Sequence, residues 1–231
     1  MLGKLFKYEF KSTARWMLPC YAFVILVSFV NMFFISVNPY SANPIGNTLI
    51  NSMRVLFAIT YGISVTAMSM LTIFMAVSRF YKNLLSNEGY ISLTLPVGID
   101  EHLSVKLITA TLWIFASVAI GVLSLFILTA REIQFYQMLR ELPRAYAFIN
   151  TELNGMLNVY VFEVVLLTVV ATAEIILRMY FSMALGQLSN NHKIGMAIVA
   201  YIGINFIMQI ISMVFTVNSV SRIIKMDMFA Y

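Results

Sequence analysis

Charge is the scarcest thing in this sequence. Acids and bases together make up 11% of the 231 residues, where a soluble domain of this length carries roughly 25%. With 61% hydrophobic residues and a mean hydropathy of +0.86, that deficit excludes an ordinary water-soluble domain. Cysteine is almost missing. A single Cys20, inside the first apolar run, excludes a disulfide framework or a cysteine metal cluster. Histidine occurs twice, at His102 and His192, in segments that read as separate loops, which argues against a two-histidine metal site. No G-x-x-x-x-G-K-[ST] is present, so the chain is not itself a P-loop nucleotide binder, and no H-E-x-x-H or G-x-S-x-G appears. Nothing resembles a catalytic constellation, and no enzyme activity is expected of the chain itself. Nucleic-acid motifs are absent as well. The net charge of +5 suits an anionic membrane leaflet instead.

What is present is a series of long apolar runs. A hydrocarbon layer of about 30 Å takes roughly 20 apolar residues in helical form. Five runs meet that length, at about Trp16–Val37, Val55–Ser78, Leu107–Ala130, Met156–Leu188 and Ile194–Thr216. They are continuous and do not alternate, which excludes a transmembrane β-barrel. The expected fold is an all-α, polytopic transmembrane helix bundle with five spans, formed as one permease-sized domain over 1–231. The first run is too long, and lacks the small-x-small site, for a cleavable signal peptide.

Counting Lys and Arg sets the orientation. With the N-terminus in the cytoplasm, that side holds Lys4, Lys7, Lys11, Arg15, Arg79, Lys82, Lys106 and Lys193. The outer side holds Arg54, Arg131, Arg140, Arg144, Arg222 and Lys225. Lys4 to Arg15, immediately before the first span, decide the matter. In Leu2–Arg15, Leu2, Leu5, Phe6 and Phe10 share a helical face opposite Lys4, Lys7 and Lys11, with Glu9 at the edge of the apolar stripe. That pattern predicts an interfacial amphipathic helix over 1–15. Of the two outer loops, Asn38–Met53 reads as turn-rich, and Arg131–Asn154 predicts a short amphipathic helix broken at Pro143.

Several intramembrane polar residues stand out. Glu163 and Glu174 share a face three turns apart, and Arg178 lies four residues after Glu174, the favourable order for a helical ion pair. Charges in lipid face the bundle interior or a wet cavity. Glu163 has no local partner, which makes it the better candidate for a gating or substrate contact. Tyr201, Asn205 and Gln209 form one stripe in the fifth span. They are expected to bond to neighbouring helices, as are Thr60, Ser64 and Thr72 in the second.

The most distinctive stretch lies between the second and third spans. Arg79, Tyr81 and Lys82 close the second span with interfacial residue types. Ser86, Asn87 and Gly89 form turns. Pro96 ends a short element, and Asp100 and Glu101 enter a helix start, where acids complement the dipole. Ile91, Leu93 and Leu95 alternate with Ser92 and Thr94, a pattern that suits an extended segment as well as a helix.

At these residues the chain resembles the type-2 ABC-transporter permease family, in particular its small Firmicutes members. The matching pattern is Arg79, Phe80, Tyr81, Lys82, Asn83, Leu84, Leu85, Glu88, Gly89 and Tyr90, then Thr94, Leu95, Pro96 and Val97. The opening Lys4, Lys7, Tyr8, Glu9, Phe10 and Lys11 is similar to that family too, as are Ala184–Leu188 with His192 and Lys193. The resemblance implies that 79–106 is a cytoplasmic coupling loop. Within it Glu88–Pro96 would be a short coupling helix that docks on a separate cytoplasmic ABC ATPase. Arg79, Tyr81, Lys82, Asn83, Glu88, Gly89, Tyr90, Leu95 and Pro96 would be the contact residues.

The resemblance also implies a bacterial cytoplasmic-membrane exporter, a homodimer or heterodimer with a second permease, and no cofactor on this chain. ATP and magnesium would sit on the partner. Members of the family have six spans where five are visible here, so a truncated frame or a five-span variant is expected. Two other readings remain at this point. One is a non-transporting immunity or sensor subunit. The other is an ion-gradient-driven carrier using Glu163 or Glu174.

Overall fold

The structure, a computed structural model, describes residues 2–35, 44–85, 98–130, 133–189 and 192–228. Among them are six α-helices, one π-helical turn and no strand. The helices are α1 (Leu2–Ile35), α2 (Pro44–Phe80), α3 (Ile99–Thr129), α4 (Ile133–Glu152), α5 (Leu157–Gly186) and α6 (Lys193–Met228), and the π turn Tyr81–Leu85 extends α2. Five are long and apolar enough to cross a membrane, over Gly3–Phe34, Thr48–Leu85, Ile99–Thr129, Leu157–Gly186 and Lys193–Ser219. The chain is therefore a multi-pass membrane protein of all-α architecture, as its composition predicts.

The helices overrun the apolar runs. The amphipathic Leu2–Arg15 is helical and continues without a break through Pro19 into the first span. Its apolar face does not wait for lipid: Phe10 stacks on Trp113 of α3 at 4.8 Å, with Phe6 behind it at 5.8 Å. α2 starts at Pro44, eleven residues before the expected Val55. A proline is tolerated at the first helical position, where its missing N–H has no partner anyway. The turn-rich reading of 38–53 thus fails from residue 44 onward. α3 begins at Ile99, at the helix start expected around Asp100 and Glu101, and runs unbroken into the span expected from Leu107, so His102 and Lys106 are helical and not loop residues.

α4 is the helix among the six that is not apolar enough to cross a membrane, and it is largely exposed. The expected break at Pro143 does not occur. Pro143 removes one donor, but the helix is exposed, so the freed Leu139 carbonyl can be solvated and the loss stays local. α4 ends in a Schellman turn. Gly155 N–H donates to the Asn150 carbonyl at 2.7 Å and Asn154 N–H to that of Thr151 at 3.1 Å, with Asn154 and Gly155 at φ 52° and 78°.

The chain forms two units, Met1–Arg79 with Leu95–Ala173 and Phe80–Thr94 with Glu174–Tyr231. In the first, α1 and α3 run parallel and α2 antiparallel to both. Glu9 meets Lys106 and Tyr21 meets Ser117, whereas Ser12 meets Arg79 and Phe34 stacks on Phe57. The buried residues of α3, His102, Val105, Lys106, Thr109, Ala110, Trp113, Ser117 and Ser124, recur every three to four positions or at multiples of that spacing, which places them on one face. Met17, Tyr21, Val24, Met68 and Trp113 form the core. A hydroxyl chain stitches it: Ser117 Oγ lies 2.8 Å from Tyr21 Oη and 2.7 Å from Thr72 Oγ1. Further along, Tyr61 Oη is 2.7 Å from Ser124 Oγ. Each such bond between membrane helices contributes roughly 0.6 kcal/mol.

Ser117 and Thr72 also bond their own helix, Ser117 Oγ donating to the Trp113 carbonyl at 2.9 Å and Thr72 Oγ1 to that of Met68 at 2.8 Å. Hydroxyls that face outward make the same backbone bond. Thr60, Thr66, Thr168, Thr216 and Ser219 are exposed, and each bonds the carbonyl four residues back on its own helix, at 2.7 to 2.9 Å. Of the three hydroxyls expected to bridge helices in the second span, Thr72 does so. Thr60 bonds its own backbone, and so does Ser64, to Tyr61 O at 2.8 Å.

In the second unit, Phe80 stacks on Tyr180 with ring centroids 3.9 Å apart and planes 6° from parallel. Gly186 lets the end of α5 meet the start of α6. A Cβ there would lie 2.6 Å from the Lys193 carbonyl oxygen and 2.7 Å from the Ala197 Cβ.

Candidate functional site

The densest charged cluster in the first unit gathers at the end where α1 starts, α2 finishes and α3 starts. Glu9 shares the inward face of α1 with Thr13 and Met17, at i, i+4 and i+8. From there its Oε1 accepts a hydrogen bond from Lys106 Nζ at 2.9 Å and lies 3.5 Å from Arg79 Nη1. Arg79 Nη2 also donates to Ser12 Oγ at 2.6 Å. Lys106 is 6% exposed and Glu9 15%. An unpaired ammonium at that burial would cost several kcal/mol, so the carboxylate is the condition for Lys106 being there. Two cations share one carboxylate, which leaves the cluster one positive charge in excess.

Behind the ion cluster stand buried groups without a hydrogen-bond partner among the described residues: His102 Nε2, Thr109 Oγ1, Trp113 Nε1 and Arg79 Nε. His102 precedes Lys106 by one turn on the same face of α3. Tyr21 leans on Trp113 at 5.9 Å and donates its hydroxyl to the Trp113 carbonyl at 3.1 Å. Phe6, Phe10, Trp113 and Tyr21 thus form an aromatic ladder that fixes α1 against α3 just inside the ion cluster.

The residues expected to make a coupling surface are distributed as follows. Arg79 belongs to the ion cluster. Tyr81, Lys82 and Asn83 lie in the π turn, Lys82 exposed and the other two half-buried. A π turn at a helix end marks a local departure from the α-helical ladder, and such turns recur at functional positions. Glu88, Gly89, Tyr90, Leu95 and Pro96 lie outside the described residues. Helix resumes after Gly98, an extended N-cap whose carbonyl accepts from Glu101 N at 3.1 Å and His102 N at 3.2 Å. Asp100 and Glu101 fall in that first turn, where their charge opposes the helix dipole favourably.

A second polar cluster lies inside the second unit. Glu174 and Arg178 form the i, i+4 ion pair that their spacing predicts. Arg178 Nη1 also donates to Asn205 Oδ1 at 2.9 Å, and Asn205 Nδ2 donates to the Tyr201 carbonyl at 2.8 Å. The guanidinium therefore bridges α5 and α6. Gln209, one turn on, is exposed, and so is Glu163 on α5.

Reading the sequence missed Glu9, Lys106 and His102 as members of a site. The signal was present: one acid on the apolar side of an otherwise basic segment, and the last cation before the third span. Among the described residues no three His, Cys, Asp or Glu side chains gather as metal ligands. The arrangement offers no nucleophile with a base beside it. What it can do is hold three helix ends together in the first unit and bridge two helices in the second. The chain matches no protein-family model, no curated protein and no solved structure.

Proposed function

We propose that this chain is the membrane-spanning permease subunit of an ATP-driven exporter in the cytoplasmic membrane, worked by a separate ATPase through the 79–97 segment. ATP and magnesium stay on that partner, and two permeases assemble with two ATPases. The observation that carries the reading is the ion cluster. The 79–97 segment leaves α2 at one end and enters α3 at the other, and Glu9 ties α1 to Arg79 and Lys106 on either side of it. A push on that segment is passed along the chain to the ends of α2 and α3, which Glu9 ties to α1. The residue patterns at 4–11, 79–97 and 184–193, the five spans and the missing P-loop support the same assignment.

The test is co-purification of the detergent-solubilised chain with a Walker-motif ATPase, followed by Glu88→Ala and Gly89→Pro. Both variants are expected to lose ATPase association or ATP-driven transport. If both keep association and transport intact, the coupling role is wrong.

A gradient-driven carrier is the second reading, and the bridge Glu174–Arg178–Asn205 is what favours it. A carboxylate in a span that moves between paired and free states could carry a proton. Under that reading Glu174→Gln or Glu163→Gln abolishes proton-coupled uptake, whereas ATP-driven export survives both.

A further inference from the structure

The basic residues of α1 outside the ion cluster form a second surface. Lys4, Lys7, Lys11 and Arg15 are all exposed. Their spacing of three, four and four places them within an arc of about 80° on one helix face. The opposite side carries the buried Thr13, Met17, Tyr21 and Val24. Glu9, the acid of this segment, is turned to that inner side and engaged by Lys106 and Arg79. The outward stripe therefore keeps four cations with no carboxylate on its own helix to balance them. Past Arg15 the same face becomes apolar within one turn, with Leu18, Phe29 and Phe33 exposed.

Depth decides what covers this stripe. Arg79 precedes the apolar length of α2 read from its end, and Lys106 precedes that of α3. Glu9 touches both, so all three helices are in register where charge gives way to hydrocarbon. Lys4 to Arg15 span about 17 Å of helix rise and straddle that level. Lys11 and Arg15 lie on its apolar side, at the level of the exposed Ile108 and Leu112 of α3, which lie as far past Lys106 in the chain as Lys11 and Arg15 lie past Glu9. From there their long stems reach back toward the boundary. Trp16, 65% exposed, and Tyr8, 72% exposed, add the aromatic types that settle among headgroups. A soluble acidic protein could reach Lys4, but lipid phosphates are the anions available at the depth of Lys11 and Arg15.

We infer that the Lys4–Lys7–Lys11–Arg15 stripe is a binding surface for anionic phospholipid headgroups, and the inference does not depend on the export reading. Polybasic segments beside a span attract anionic lipid in proportion to their charge, with an effect that salt weakens.

The two tryptophans make the test local. Trp16 follows Arg15 in the chain, about a quarter turn round the helix, and is exposed, whereas Trp113 is 5% exposed in the core. The full chain, and a Trp113→Phe version in which only Trp16 emits, are reconstituted in phosphatidylcholine vesicles. Each preparation contains the same small fraction of either brominated phosphatidylglycerol or brominated phosphatidylcholine. The anionic quencher is expected to be several-fold more effective than the zwitterionic one. That excess should fall to parity when Lys4, Lys7, Lys11 and Arg15 are all changed to Gln. Equal quenching by the two lipids in the unaltered chain would overturn the inference, and so would an excess that survives the four substitutions. An excess erased by inorganic phosphate, but not by chloride at matched ionic strength, would make this a free-anion site and overturn the lipid assignment.

Discussion

Replacing Glu9 by Gln removes the carboxylate and leaves its shape. Lys106 at 2.9 Å and Arg79 at 3.5 Å then face each other with no counter-charge. At an effective dielectric of about 20, the two lost attractions are about 6 and about 5 kcal/mol gross. Most of that offsets desolvation in the intact protein, so the net cost is the smaller figure for orphaning a buried charge, about 3–5 kcal/mol. For a chain of this size such a loss lowers the melting temperature by about 10 °C. Reversible unfolding in mixed micelles or nanodiscs would measure it. A thermodynamic cycle with Lys106→Met sharpens the prediction. Lys106→Met alone leaves Glu9 with Arg79 and is expected to cost less. Glu9→Gln combined with Lys106→Met is expected to recover at least about 2 kcal/mol relative to the sum of the singles. A Glu9→Gln protein within about 0.5 kcal/mol of the parent would refute the reasoning. So would a coupling energy near zero, because either result means water already compensates the cations.

Trp113→Ala should cost about 3–5 kcal/mol by the same measurement, since it empties the slot between Phe10 and Tyr21. Trp113→Phe should cost markedly less. Gly186→Ala is expected to destabilise by about 1–3 kcal/mol, because two of the three atoms its methyl would meet under 3 Å are backbone of Lys193 and Ala197. An unchanged melting temperature there would mean that α6 shifts freely against the end of α5. Arg178→Met should lose about 2 kcal/mol by leaving Glu174 and Asn205 Oδ1 unmatched. Arg178→Lys should recover less than half of it, because an ammonium cannot reproduce the guanidinium fork.

The class and number of spans were legible because they rest on length and hydropathy, which need no partner to be read. The Glu174–Arg178 pair was legible for a related reason: both residues sit on one helix at a spacing that brings them together. Contacts between helices were harder to see. Glu9 looked like an edge residue of a surface helix, because nothing local says that Lys106, 97 positions away, would reach it. The amphipathic segment presents an apolar face, and sequence cannot say whether lipid or a neighbouring helix will cover it; here Trp113 does. Helix ends were misjudged in one direction. Charged or prolyl residues were taken as stops, whereas Pro44 sits at the first position of α2, Pro143 is carried inside the exposed α4, and Lys106 is carried inside α3 by its ion pair with Glu9. The motif at 184–188 contains Gly186, and its role is steric, which no pattern of hydropathy records.

The outward hydroxyls of α2, α5 and α6 bear on how such a chain enters a bilayer in the first place. Each of Thr60, Thr66, Thr168, Thr216 and Ser219 is satisfied within its own helix. None has to wait for a second helix before it can leave water. A span such as α6, none of whose apolar window is fully buried, can therefore partition as a single rod as soon as it is synthesised. Assembly then becomes a later and separate event, governed by groups whose partners lie on another helix: Glu9 with Lys106, Tyr21 with the Trp113 carbonyl, and Arg178 with Asn205. The polar residues of this membrane protein fall into two kinds, those silent during insertion and those that choose neighbours afterwards. A count of hydroxyls alone would not tell the two kinds apart.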